Sequence, residues 1–145
     1  MADFADDDEF ADEIVGYVER GEAHLNSLIQ ERSNFVRAAI SRGAFVDAVS
    51  KALEDPAVGK DPQNCKDLNL QVVMEALSAP RANEVSLVVQ QLAPFQLDTL
   101  IKFVYRGMAH PDLYSASMLL GWHEKVTEVT GLGSIVRVMT DRQTV

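Results

Sequence analysis

The chain has 145 residues, 47% of them hydrophobic, with eight glycines, five prolines and a formal net charge of −9 at pH 7. That length suits one domain able to bury about two thirds of its unfolded surface, and the composition excludes a collagen-like or low-complexity chain. The charge is uneven: residues 1–13 hold seven acids and no base, while the other fifteen acids and thirteen bases nearly cancel.

Without a basic cluster to neutralise phosphates, nucleic acid is not an expected partner. Cys65 is the single cysteine, so no intrachain disulfide can form, and a reducing compartment fits. The acidic N-terminal stretch lacks the apolar segment of a secretory signal, and no run approaches the ~20 apolar residues of a membrane span. The expectation is a soluble intracellular protein with no membrane partner.

Residues 1–13 are expected to form an acidic arm, disordered or extended, ahead of a helical domain over 14–145. A solvated tail would explain its acids alone. Phe4 and Phe10, six residues apart around Asp6, Asp7 and Asp8, also suit a docking segment, with aromatics in pockets and acids facing bases.

Beyond the arm, apolar positions repeat with helical spacing. Leu25, Leu28, Ile29, Val36, Ala39 and Ile40 share one stripe of a first helix ending near Gly43. Phe45, Val49, Ala52 and Leu53 predict a short second helix stopped by Pro56, and residues 57–64 a loop. Leu68, Val72, Val73, Ala76 and Leu77 make a third helix ending before Pro80. Asn83 is a candidate N-cap for a fourth, which carries Val85, Val88, Val89 and Leu92. Pro94 opens a fifth, the clearest, with Leu97, Leu100, Ile101, Val104, Tyr105 and Met108 in register. Pro111 suits the first turn of a sixth, with Met118, Leu119, Trp122, Val126 and Val129 inward and Gly131 at its end. The segment 134–140 is β-branched enough for a strand, but no second strand candidate exists to pair with it. A helix is therefore predicted, capped by Ser134 and held by Ile135, Val138 and Met139, with Arg137 and Arg142 outside.

Short connections imply neighbouring helices stacked antiparallel. Gly43, Phe45, Ala48, Ala52 and Pro56 resemble the second helix of a tetratricopeptide unit, although no second copy is convincing. The fold class is all-α: an α-α superhelix of about seven helices with a short acidic N-terminal arm.

No catalytic constellation emerges. His24, His110 and His123 show no i, i+4 pair, and Cys65 is distant in sequence, so no metal is expected. His123 and Glu124 cannot form a dyad, because adjacent helical side chains point ~100° apart. Gly131-Leu132-Gly133 lacks the strand and third glycine of a dinucleotide loop, and no nucleophile–base pair is present. An enzyme, a cofactor and a small-molecule substrate are not expected. Trp122, the single tryptophan, is by default a core residue and otherwise an interface anchor. Val46, Leu87 and Leu120 fall off the main stripes and would suit an interface. The end of the chain, from Arg142 to Val145, fails as a PDZ ligand because Gln143 replaces the Ser or Thr expected there.

Two strings carry a resemblance: Leu119, Leu120 and Trp122 to Lys125, then Gly131, Gly133 to Val138, Thr140, Arg142, Thr144 and Val145. Together they resemble the C-terminal signature of the sixteen-kilodalton (p16) subunit family of the actin-related protein 2/3 complex. The likeness runs back more loosely through 102–107 to about Val36, and thins over residues 1–34. Gly121 replaces the polar residue that family has before its tryptophan. The resemblance implies a non-catalytic cytoplasmic subunit at the actin cytoskeleton and cell cortex, supporting filament nucleation and branching. It further implies a helical core docked on the twenty-kilodalton subunit beside the β-propeller subunit, and an arm reaching the actin-related protein 2. Candidate partner-binding residues are Phe4, Asp6, Asp7, Asp8, Phe10, Trp122, Arg137 and Arg142. The alternative is a free-standing, tetratricopeptide-like adaptor that binds peptides.

Overall fold

The structure is a computed structural model, and it describes residues 21–57, 61–140 and 145. Among these are seven helices and no strand: α1 Glu22–Ser41, α2 Phe45–Ala52, α3 Gln63–Ser78, α4 Ala82–Gln91, α5 Pro94–Met108, α6 Ala116–Thr130 and α7 Gly133–Thr140. The expected arm over 1–13 and the start of the helical domain lie outside the described residues.

Local chemistry sets the helix ends. α1 stops at Gly43, whose φ of +74° is a left-handed conformation that costs a glycine nothing. The Gly43 and Ala44 N–H groups then donate to the carbonyls of Ile40 and Ala39, at 3.0 and 2.9 Å, in the manner of a Schellman cap. The fourth helix begins earlier than the Asn83 cap would have it. Arg81 is its N-cap residue, and the Glu84 carboxylate reaches back to accept the Arg81 N–H at 2.9 Å. A carboxylate in the first turn both satisfies an orphan donor and faces the positive end of the helix dipole. The sixth helix begins later than Pro111 suggested. Residues 111–114 form turns, and the Ser115 side chain accepts the Met118 N–H as the cap.

One apolar core runs through the domain. Leu25, Ile29, Val36 and Ala39 of α1 join Ala48, Val49 and Ala52 of α2, Val72, Val73, Ala76 and Leu77 of α3, and Leu97, Leu100, Ile101 and Val104 of α5. α6 adds Leu119, Trp122 and Val126. Three inward assignments fail: Leu68 is 41% exposed, Val129 52% and Met139 74%. Each sits at the edge of its stripe, where a turn of 3.6 residues leaves the inner face undecided by one position.

Packing of chain neighbours on one another holds for α1 with α2, α2 with α3, α5 with α6 and α6 with α7. α4 departs from it, packing chiefly on α2 and α6. Its exit differs from those of α1, α2, α3 and α5: their C-cap residues are helical, whereas Leu92 and the following Ala93 are extended, with ψ of 144° and 155°. Pro94 enforces the last of these, because a residue before proline is kept from the helical region.

A buried polar link crosses the apolar layers of the first half. Arg32, only 5% exposed, donates through Nη1 to Asn69 Oδ1 at 2.8 Å and through Nη2 to the Asp55 carbonyl at 3.1 Å. Asp55 has a φ of +43°, a conformation Asp tolerates better than most residues. The guanidinium thereby ties α1, α3 and the turn after α2 into one unit.

Candidate docking surface

Trp122 is packed in the core, 1% exposed, with its indole N–H donated to the Leu77 carbonyl at 2.9 Å. This is the core placement expected by default. Part of its ring also lines a groove between α4 and α6, with Leu77, Pro80, Val85, Met118 and Gly121. Nothing lies within 4 Å of where a Gly121 side chain would begin, so glycine leaves that groove open. At the next residue, His123 Nε2 meets the Tyr105 hydroxyl at 2.9 Å, which holds α6 to α5. His123 thus has a structural partner on another helix, and Glu124 faces solvent.

Arg137 lies outward on α7 and forms a two-point contact with Asp98 of α5: Nε to Oδ2 at 2.8 Å and Nη2 to Oδ1 at 3.0 Å. Its pKa is pushed above the ordinary arginine value, chiefly by that hydrogen bond. Trp122 and Arg137 are not brought to one groove. The other candidate partner-binding residues, Phe4, Asp6, Asp7, Asp8, Phe10 and Arg142, lie outside the described residues.

α7 is short, and its two apolar sides are used differently. Ile135 and Val138 turn partly inward beside Ser134, which is fully buried. Ser134 is not the N-cap; it lies within the helix, its hydroxyl 2.7 Å from the Thr130 hydroxyl. On the opposite side Leu132 (75% exposed), Val136 and Met139 make an i, i+4, i+7 row in solvent. Val129, at the end of α6, is exposed as well. Of the off-stripe residues, Leu87 and Leu120 are exposed, whereas Val46 packs against the core. A second apolar surface lies on α1, α2 and α5, where Phe35 and the 72% exposed Phe95 flank a cleft. Phe95 lies outside the predicted apolar stripe of its helix. Its sequence signal is a large aromatic directly after the helix-opening Pro94 and off the Leu97–Leu100–Ile101–Val104 register.

At the junction of α3 and α5, Arg106 donates through Nη1 to the main-chain oxygen of Val145 at 2.9 Å and through Nη2 to Asp67 at 2.8 Å. Val145 is buried there. Burial raises the Tyr114 pKa above that of an ordinary phenol; the Asp67 charge adds to the rise and Arg106 opposes it. Among the described residues, no three His, Cys, Asp or Glu side chains are placed to hold a metal ion, and no helix is long and apolar enough to cross a membrane.

The geometry is therefore that of an all-α domain with a closed core and several solvent-facing apolar surfaces, a class suited to docking. The family model of the ARP2/3 complex 16 kDa subunit (p16-Arc) matches residues 2–145, and the chain belongs to that family. It is 39% identical over 110 residues to actin-related protein 2/3 complex subunit 5-C of Xenopus laevis, covering 76% of this chain and 73% of that protein. The human subunit 5-like protein is 36% identical over the same length, 76% of this chain and 72% of the relative. Subunit 5 of Dictyostelium discoideum is 32% identical over 130 residues, 90% of this chain and 93% of its own.

Proposed function

We propose that this chain is a non-catalytic subunit of an actin-related protein 2/3 complex, holding other subunits in place for filament nucleation and branching at the cell cortex. The observation that carries this reading, beside family membership, is the outward row of Leu132, Val136 and Met139 on a helix that is otherwise anchored. Exposed apolar rows of this kind mark protein interfaces. The core docks on the twenty-kilodalton subunit beside the β-propeller subunit. The arm over 1–13 reaches the actin-related protein 2, and its attachment to a docked core makes even a weak contact effectively intramolecular.

Affinity purification of the tagged full chain from its own cells tests this. Recovery of the complete complex in fixed proportion supports the reading, and a monomer recovered with exchangeable peptides overturns it. Replacing Leu132 and Met139 together with serine should reduce recovery of the other subunits while the circular dichroism of the chain stays unchanged.

A further inference from the structure

The Phe35–Phe95 cleft has a chemistry of its own. Leu53 and Pro56 line it with the two aromatics, together with three acids, Asp47, Glu54 and Asp55, and one base, Lys51. It is continuous, through Lys51, Glu54 and Asp55, with a second hollow that includes Glu31. The cations that line the two hollows, Lys51 and Arg32, are both engaged. Lys51 Nζ lies 3.0 Å from Glu54 Oε2 and 5.6 Å from the centre of the Phe35 ring, and Arg32 is buried against Asn69. Glu31 and Asp47 are exposed and make no ion pair or hydrogen bond among the described residues. The outcome is an aromatic cleft with an acidic surround, where Glu31, Asp47, Glu54 and Asp55 outnumber Arg32 and Lys51. Such a surround repels phosphates and anionic lipid, and it attracts basic chains.

We propose that the Phe35–Phe95 cleft docks a basic, apolar-anchored peptide segment of a partner protein. The apolar anchor enters between the two rings, where buried aromatic contact supplies most of the affinity. Flanking lysines or arginines face Glu31 and Asp47 and set orientation and on-rate. The proposal rests on reading the chain as a docking subunit, and it commits to a face which that reading leaves open.

The test titrates the isotope-labelled full chain with a short peptide alternating lysine and leucine, followed by NMR. Control peptides carry glutamate for lysine or serine for leucine. Saturable shifts should centre on Phe35, Ser50 and Thr99, and both controls should bind at least about tenfold more weakly, which is 1.4 kcal/mol. Phe95→Ala should cost about tenfold at any salt concentration. Glu31→Lys with Asp47→Lys should cost several-fold at low salt and little at high salt, because exposed charges are screened over ~8 Å at physiological ionic strength. Leu87→Ala should change nothing. Equal binding of the glutamate peptide, shifts centred on Leu132 and Met139, or no saturation would each overturn the proposal. So would concentration-dependent shifts at Phe95 without peptide, which would make a second copy the occupant. Recovery of the other subunits, measured with the same variants, separates this outcome from the proposed function: a chain that binds the peptide yet recovers no subunits fails only the latter.

Discussion

Trp122 combines a large buried ring with a single polar atom, and that atom is used: the indole N–H caps the Leu77 carbonyl at 2.9 Å. Trp122→Phe removes the donor and leaves that carbonyl unpaired in the core, which costs about 1–3 kcal/mol before any loss of packing. Urea denaturation followed by circular dichroism should show that loss; a change below about 0.5 kcal/mol would mean the bond contributes nothing net. Tyr114 gives a residue-scale test in pH. Its folded pKa is raised, by burial first and then by Asp67. The fold therefore favours the neutral phenol. The associated stability is fully present below the unfolded value of 10.0 and is lost as pH rises through the higher folded value. Tyr114→Phe should flatten the decline in stability above that pH, and an identical alkaline decline in both proteins would refute the assignment.

At the scale of the element, α7 shows what sequence reading reaches and where it stops. That the segment is helical was legible, because no partner strand existed for it. Its rotation was not. Leu132, Ile135, Val136, Val138 and Met139 place apolar groups on most of the circumference, so the rows 135–138–139 and 132–136–139 are equally helical. The contact of Arg137 with Asp98 selects between them, and it joins residues 39 apart in the chain, a distance periodicity cannot see. The same limit applies to Leu68 and Val129, apolar residues at stripe edges. In the longer, strongly patterned α5 the predicted Leu97, Leu100, Ile101 and Val104 are all buried, although the equally buried Phe103 lay outside that stripe. Val138→Asp should therefore lose most of the ~1.5–3 kcal/mol that burying such a side chain supplies, with faster hydrogen exchange over 133–140. Met139→Asp should be close to neutral in the isolated chain. Comparable losses from both would place the helix in the other rotation.

For the whole molecule, the division we propose is between a core that folds on its own stripes and an acidic stretch, residues 1–13, that the core does not need. Legibility differs here too. The signature over 119–145 pointed to the family, while the outward apolar surfaces depend on tertiary packing and were only partly visible, as Leu87 and Leu120 but not Phe95. Deleting residues 1–13 should leave the melting temperature and circular dichroism of the domain unchanged, since its buried stripes begin at Leu25 among the described residues. What should fall is retention of the actin-related protein 2 in the assembled complex, or the rate of branch formation. Two contributions separate by salt. Phe4→Ala with Phe10→Ala removes apolar burial, and its effect should persist at high ionic strength. Replacing Asp6, Asp7 and Asp8 with asparagine removes charge, and its effect should be confined to low ionic strength, where screening lengths are long. An arm that only solubilises would give a different pattern: retention and branching unchanged by the deletion at every salt concentration, with aggregation of the truncated chain as the single defect. Pelleting and pyrene-actin assays on the reconstituted complex distinguish the two, because tethering acts on subunit occupancy and solubility acts only on yield.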